Sequence, residues 1–548
     1  MMKHFGKLGA PLYSIHEYPS LADQERRFTD AGWTHAHARS LWDLWSDDEF
    51  VGSCLRTSLD GVESFDEWEE FALFASHYFL LHASTRPGTS DPRRTTSKAS
   101  AAASQSDKFR LVPNCSAPTG QRRFGALVPG NKAVGLHSGM GRQTRLADTD
   151  LYTSQESTDR DALIPPPSNV PARLCHTITS FNGTGDCLLV GGRTSPAAAL
   201  GDTCVRKNNA WHARSSLPTP RFRHCATRVK VDYDSVLIYG GKTSDGTTLD
   251  SWLLWSDNGK GWQPLETTTK ENTNPPNARF GACLGNTSDI SGVLFGGIGA
   301  DGTILEDFWT WKLQKRADGS LYVEMKDMTE ILQRVSPGYE LLSRFGATVT
   351  PASWGLVVSG GIMPRQVVPF NSEILLLDST ALLRCIENDS TIDSPAFSTV
   401  GLSASFDGPR PLLAGHVSCA VSPDQVLLVG GGAVCFSFGT FWTEGTWTLN
   451  LAEEPIENNW KLDRKDIQPT AAGQKFSKPA KPQTFESTAK ITIPRVKVES
   501  PADFQQILAD ARPVIIEGSD IGPCTELWTK DYLVNSVGSD RKVGSSSH

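Results

Sequence analysis

Gly297-Ile-Gly299-Ala-Asp-Gly302 matches the G-x-G-x-x-G spacing with which a glycine-rich turn cradles a dinucleotide, provided a strand precedes it and a helix follows. A strand pattern, "GVLF", does precede it, but the continuation "LEDFWTW" with Trp309 and Trp311 is another strand. "GGKTSDG" holds the same place one repeat earlier, so the run reads as a turn and not as a cofactor site. Oxygenation at iron would need two histidines and a carboxylate around open coordination positions. None of the twelve histidines is followed two residues later by Asp or Glu, so the pair that starts such a site is missing. The eleven cysteines contain no C-x-x-C and no zinc-ligand spacing, and they read as reduced, mostly buried thiols of an intracellular protein.

The elements around these residues form a repeat. Five apolar runs end in a glycine pair: "CLLVGG" to Gly192, "VLIYGG" to Gly241, "GVLFGG" to Gly297, "LVVSGG" to Gly361 and "VLLVGG" to Gly431. A degenerate sixth is "AVGLHSGMG" to Gly141. Upstream of each stands an arginine opening a second strand pattern, at Arg123, Arg173, Arg221, Arg279, Arg344 and Arg410. A run such as Val236–Tyr239, apolar on both faces, fits a sheet packed between two others, and the glycine pair fits a crowded exit turn. The spacing of roughly 50 to 70 residues is that of kelch repeats. The expected fold is therefore mainly β: a six-bladed kelch-type β-propeller over residues 122–452, with "FRLV" at Phe109 as a candidate closing strand.

The residues before the ring follow a different pattern. "SFDEWEEFALFASHYFLLHAS", Ser64 to Ser84, predicts a single helix opened by a Ser64/Glu67 capping box, with Asp66 and Glu67 suited to the positive end of its dipole. Phe71, Leu73, Phe74, Tyr78, Phe79, Leu80 and Leu81 run nearly all round it, as in a helix buried within a large domain. The next residues, "TRPGTSDPRRTTSKASAAASQSDK", can bury nothing, so the helix is expected to lack its packing partner and to expose Phe71, Phe74, Phe79 and Leu80. Before it, "PSLADQERRFTDAGWTHAHARSLWDLW" reads as helix, turn at Gly32-Trp33, short strand and helix, with Trp33 a packing residue.

Over about the first 84 residues, "ERRFTDAGW" and "FDEWEEFALFASHYFLLHA" resemble the carboxyl-terminal part of the leucine carboxyl methyltransferase family, in which this helix packs on an upstream Rossmann-type domain. At the other end, "ADFQQILADARPVIIEG" and "IGPCTELWTKDYLVNSVG" resemble the start of a JmjC or cupin domain. In that order, with a kelch ring between, the segments are similar to the S-adenosyl-L-methionine-dependent methyltransferases of wybutosine biosynthesis. That resemblance implies tRNA-Phe as partner, carboxyl methylation of the α-amino-α-carboxypropyl side chain on the tricyclic guanosine beside the anticodon, and then methoxycarbonylation of its amino group. The S-adenosyl-L-methionine site is expected upstream of Met1, so no catalytic, cofactor-binding or metal residue carries over, and the chain reads as truncated at both ends and inactive alone. Glu67, His77 and Tyr78 match family positions near the substrate side. Tyr78 as a core residue and His77 as a satisfied helix histidine is the favoured reading of those two.

The implied division is residues 1–85 as the methyltransferase end, 86–121 as a disordered basic linker, 122–452 as the propeller, 453–490 as a second linker and 491–548 as the JmjC-like start. Between Arg86 and Arg123, over the first linker and the start of the propeller, Arg86, Arg93, Arg94, Lys98, Lys108, Arg110, Arg122 and Arg123 outnumber Asp91 and Asp107. Such tethers could touch RNA phosphates, although solubilising spacers have the same composition. The net charge of −8 argues against nucleic-acid binding by the whole surface. With no signal-peptide core and no run of about 18 apolar residues, a cytoplasmic location is the default expectation. Two other functions fit parts of the chain: an interaction scaffold with a protein partner on the propeller's loop face, or a protein leucine carboxyl methyltransferase.

Overall fold

A computed structural model describes residues 2–86 except 8, 63 and 64; 103–468 except 104, 107, 131–132, 155–163, 182–184, 270–272, 383–396, 401–407, 409, 436–438 and 452–456; and 493–535 except 511–513, 519–523, 530 and 533–534. The chain divides into two compact units, Met1–Ala472 and Gly473–His548.

In the first unit the described strands form four two-stranded pairs, four four-stranded sheets and one eight-stranded sheet, whose halves join through parallel pairing of Gly261–Thr269 with Leu321–Asp327. We number these four-stranded groups 1 to 6 along the chain. Their first strands are Ala126–Pro129, Thr177–Ser180, Cys225–Lys230, Cys283–Asn286, Thr348–Ala352 and His416–Ser422. Each touches the next and the sixth touches the first, so the groups close into a β-propeller around an axis. The doubly apolar second strands explain the packing between groups. In group 3, Val236 and Ile238 join Leu188 and Val190 of group 2, while Leu237 and Tyr239 join Leu284 and Leu294 of group 4.

At the end of each second strand the chain must turn where the neighbouring group crowds it, as after Ser291–Phe295 of group 4. Gly296 and Gly297 have φ of 62° and 86°, and a Cβ on Gly296 would lie 2.1 Å from the Arg344 carbonyl oxygen of the following group. The repeated arginine ties this turn down. Arg279 is fully buried, donates to the carbonyls of Asn277 and Gly296, and grips Asp307 with two bonds of 2.7 and 2.6 Å. Arg173, Arg221 and Arg344 are buried in the same way, and in the first copy Arg122 holds this place, not its neighbour Arg123 as read from the motif; each donates to a carbonyl at the matching turn. In the degenerate copy Ser138 and Gly139, with φ of 52° and 103°, replace the glycine pair. Arg410 is exposed and packs over the Phe370 ring, so group 6 lacks this arginine.

Both ends of the expected propeller extend further than 122–452. Phe109–Asn114 is the outer strand of group 6, paired with Thr446–Leu451, as its sequence pattern suggested. Lys461–Ile467 is the outer strand of group 1, paired with Arg145–Thr153. Each reading of a linker therefore covered a strand whose apolar positions, such as Leu111 and Leu462, are few enough to be lost among charged neighbours. Arg93, Arg94 and Lys475 to Lys481 lie outside the described residues.

The helix expected over Ser64 to Ser84 is also shorter. It runs Trp68–Ala75, Glu67 is its N-cap without a side-chain cap bond, and Ser64 lies outside the described residues. Phe79–Ser84 is a strand antiparallel to His35–Ser40, so the apolar run that looked like a helix girdle spans a turn and a strand. The preceding helix, turn, strand and helix occur as read, at Leu21–Asp30, His35–Ser40 and Leu41–Trp45, and Trp33 packs on Phe28. Nor is the helix without a partner. Trp42, Trp68, Ala72 and Ala75 cluster with Phe280, Ile298, Phe345 and Ile362 of the propeller. Of the four residues expected in water, Phe79 and Leu80 are exposed, and Phe71 and Phe74 are half-buried.

The described cysteines are all free; Cys187, Cys204, Cys225 and Cys283 are buried, while Cys54 and Cys115 are exposed. In the second unit the helix Pro501–Asp510 follows Arg495–Lys497 and precedes Ile515–Glu517, and the two strands pair in parallel. A short helix, Cys524–Leu527, comes next.

Candidate functional site

Two residues after each position of the repeated arginine, the chain passes the propeller axis in a left-handed conformation. The residues are Phe124, Cys175, Arg223, Gly281, Gly346 and Gly415, with φ from 52° to 72°. Their backbones link around the axis: Phe124 N–H donates to Gly415, Cys175 to Phe124, Arg223 to Cys175, Gly281 to Arg223 and Gly346 to Gly281, at 2.7–3.0 Å. Glycine suits such a ring. Phe124, Cys175 and Arg223 hold a conformation that costs non-glycine residues roughly 1–3 kcal/mol each, a cost that persists where surrounding structure imposes it.

What surrounds them is the first turn of the Trp68–Ala75 helix and the residues just before it, which fill the mouth of the ring with carboxylates. Arg223 donates from Nε to Asp66 at 2.7 Å and with both terminal nitrogens to Glu69 at 2.8 and 2.9 Å. Arg193 pairs with Asp66, and Arg123 with Glu70. All six side chains are buried. The Arg223 guanidinium also lies between the Phe124 and Phe345 rings, 5.2 and 4.8 Å from their centroids. Gly346 leaves the space that Glu69 uses, since a Cβ there would lie 2.5 Å from Oε1.

Contacts reach every group of the ring. Besides Arg123, Arg193 and Arg223 in groups 1 to 3, Lys242 of group 3 holds both oxygens of Asp60 at 2.8–2.9 Å. Arg56 donates to the Asp301 carbonyl of group 4, and Trp42 Nε1 to the Met363 carbonyl of group 5. The Trp68–Ala75 helix meets Gly432–Cys435 of group 6.

Burial strains these charges unequally. It drives Arg193 down to about 9, helped by the positive Arg223, which leaves it a cation at neutral pH. Arg123 is likewise lowered by burial, against the pull of Glu67 and Glu69. For Arg223 burial works the same way, but the Glu69 charge and hydrogen bonds help to outweigh it and raise it above the ordinary range.

Behind the filled mouth is an axial cavity of about 1030 Å³, with Glu69 and Arg223 among its lining and inner-strand hydroxyls such as Thr177, Thr227 and Thr348 along it. His176, His224 and His416 occupy equivalent positions three residues after the arginine site in groups 2, 3 and 6. Burial pushes His224 down to about 3 and His416 to about 4, and it holds His176 well below its ordinary value, so all three are neutral. Asp148, Asp150 and Asp466 also converge, and Arg122 pairs with the first two, which offsets part of their charge.

The residues expected on a substrate side are not gathered here. Glu67 is exposed at the start of the helix. His77 is exposed beyond its far end with Nδ1 2.6 Å from the Leu73 carbonyl, which agrees with a satisfied histidine. Tyr78 is 43% exposed and packs on Phe74, so it is not core, because the chain turns into a strand at that point. Asp66, Glu69 and Glu70, with Arg123, Arg193 and Arg223, carry the site instead. The available signal was the density of carboxylates in "FDEWEE" and a second arginine in "RRF" and "RFR" that the repeat does not need. The G-x-G-x-x-G run is a hairpin of the propeller, with Gly299 N–H bonded to Thr303 and Gly302 beside Arg56 and Trp68.

Residues 170–445 match the family model described as "tRNA wybutosine-synthesizing protein 4, beta-propeller". The chain belongs to the tRNA wybutosine-synthesizing protein 4 family. Proteins of that name from Emericella nidulans and Aspergillus oryzae are 64% and 57% identical over 99% of this chain, which covers 53% of each of them. One from Gibberella zeae is 32% identical over 99% of the chain and 52% of its own length. The chain thus spans about half the length of the wybutosine-synthesis relatives it matches, and those alignments take in the acidic segment as well as the ring.

Proposed function

We propose that this chain contributes the propeller part of an S-adenosyl-L-methionine-dependent enzyme that completes wybutosine on tRNA-Phe, by carboxyl methylation and then methoxycarbonylation of the modified guanosine's side chain. The observation that supports this reading is the family match over the propeller, together with relatives of that name aligned along nearly the whole chain. On this reading the propeller is six-bladed and of kelch type, residues 1–85 are the end of a methyltransferase domain, the segment from about 493 opens a JmjC-like domain, and the enzyme works in the cytoplasm. Among the described residues no helix is long and apolar enough to cross a membrane.

The G-x-G-x-x-G run does not fit S-adenosyl-L-methionine. A sulfonium nucleoside needs a glycine-rich turn opening a helix and an acidic group for its ribose, whereas the glycine-rich candidate here is a strand hairpin packed under Arg56 and Trp68. We therefore assign the donor site to the half of the relatives that this chain does not cover, and derive no step through the cofactor. The acidic segment would then hold the methyltransferase end on the propeller. The scaffold reading is weakened by the same feature, because the loop face that would dock a partner is occupied by the chain's own residues 42–75.

Calorimetric titration of S-adenosyl-L-methionine into this chain should show no micromolar binding, while the full-length protein should bind it and transfer labelled methyl groups to tRNA-Phe from cells lacking the enzyme. Micromolar binding by this chain, or a full-length protein inert on that tRNA, would overturn the proposal.

A further inference from the structure

We propose that the propeller mouth is a receptor for the acidic segment Asp60–Glu70, and that it retains the N-terminal residues through that charge contact whether or not the chain between them is intact. Two independent features support a receptor. The first is the set of buried cations. Arg123, Arg193, Arg223 and Lys242 come from three different sheets, and each pairs with a carboxylate of one short segment. The repeat itself requires none of these four, since its own arginines turn inward to the glycine turns and the third strands. The second is the backbone of the ring. Its left-handed positions hold glycine in groups 4 to 6, but Phe124, Cys175 and Arg223 in groups 1 to 3. Arg223 is thereby aimed at Glu69 with Phe124 stacked against it, and Gly346 across the ring keeps open the space Glu69 fills.

The holding contacts lie at residues 42–75 on one side and on loops from 123 to 435 on the other. The two parts are joined in sequence through residues 87–102. An apolar contact alone, that of Trp42, Trp68, Ala72 and Ala75 with Phe280, Ile298, Phe345 and Ile362, would hold the parts together without choosing one seat on a quasi-symmetric ring. The carboxylates choose it, because cations stand on groups 1 to 3, whereas the positions matching Arg123 and Arg193 are Phe280 and Ile298 in group 4 and Phe345 and Ile362 in group 5. The ligand class is an acidic segment bearing a tryptophan, with Asp66, Glu69 and Glu70 as its recognised groups.

A sequence-specific protease site placed within residues 87–102 of the whole chain tests this. After cleavage the N-terminal fragment should co-elute with the remainder on size exclusion at about 0.15 M salt, where buried pairs are little screened. In the triple variant Asp66→Asn, Glu69→Gln, Glu70→Gln the fragment should dissociate on the order of a hundredfold more readily or more, because unpaired buried arginines remain. The thermal melt of the uncleaved variant shows whether the propeller is folded. Should it fail to fold, Glu69→Asp, one methylene shorter, replaces it with an expected loss on the order of tenfold. Loss of the wild-type fragment on cleavage would overturn the proposal, as would full retention of the neutralised fragment by a folded propeller.

Discussion

Arg122 and Arg123 are neighbours, yet one turns back into its own sheet, onto the Ser138 carbonyl and Asp148 and Asp150, while the other leaves the repeat to pair with Glu70. The same division separates Arg221 from Arg223. Arginines of the first kind recur from group to group because each sheet has the same turn to tie down. Those of the second kind occur where one particular segment must be met. In a repeat fold, regularity marks the scaffold and departure from it marks the site.

Substitutions should separate the two kinds. Arg279→Ala would orphan the Gly296 carbonyl and leave Asp307 with only the Trp309 indole N–H, costing about 3 kcal/mol, and should lower the melting temperature of the whole propeller. Arg223→Ala would leave Glu69 without its cation and Asp66 with Arg193 alone, at a cost of about 3 kcal/mol. Its effect should instead be local, with faster amide exchange in Trp68–Ala75 and an almost unchanged propeller melt. If both variants lowered the propeller melt equally, the distinction between scaffold and site would fail.

The glycines sharpen the contrast at somewhat smaller cost. Gly297→Val, at φ 86° with a Cβ 2.9 Å from that of Ala282, should cost roughly 1–3 kcal/mol or more in the propeller melt and leave the acidic segment seated. Gly346→Ala should release the segment as well, because its new methyl group meets Glu69. Exchange protection of Trp68–Ala75 that survives in Gly346→Ala would remove Glu69 from the assignment.

Acid should act on the axis. For His137, His176, His224 and His416, each lowered by burial, the unfolded chain takes up protons that the native state refuses, so stability falls as pH drops below about 6.5 and keeps falling toward the native values, about 3 for His224 and about 4 for His416. At pH 5.5 the loss is about 1.4 kcal/mol for each of His137, His224 and His416. Urea melts that coincide at pH 7.5 and 5.5 would show that these imidazoles are accessible to protons in the native state. Least affected should be the exposed candidates: Glu67→Ala and His77→Ala should each shift stability by no more than about 0.5 kcal/mol.

The glycine pairs, repeated arginines and doubly apolar strands made the ring legible in the sequence, since each recurs and each has a local physical cause. The outer strands at Phe109 and Lys461 were harder, one partly foreseen and one missed, because an edge strand needs few apolar residues and its partner lies hundreds of positions away. The site was nearly illegible for a related reason. "DEWEE" looks like the solvated start of a helix until arginines from three sheets converge on it, and nothing local in "RRF" or "RFR" says which arginine faces inward. The single helix read over Ser64 to Ser84 failed because Phe79 to Leu81 suits a strand and a helix equally well, and pairing with His35–Ser40 decides between them.

The two outer strands also set a schedule for synthesis. Group 1 begins at Ala126, but its last strand, Lys461–Ile467, is among the final parts of the ring to leave the ribosome, so the Arg145–Thr153 edge stays unpaired while most of the ring is made. At typical elongation rates that wait is on the order of tens of seconds. Group 6 has the opposite order, with Phe109–Asn114 made first and its partner Thr446–Leu451 made late. The closing strands are then stitched to each other by Asn114 to the Trp460 carbonyl and Asn458 to the Val112 carbonyl. Nascent chains of this protein should therefore carry one open sheet edge and one idle strand until nearly the whole ring is out, and a chaperone that shields sheet edges would have most to do during that interval.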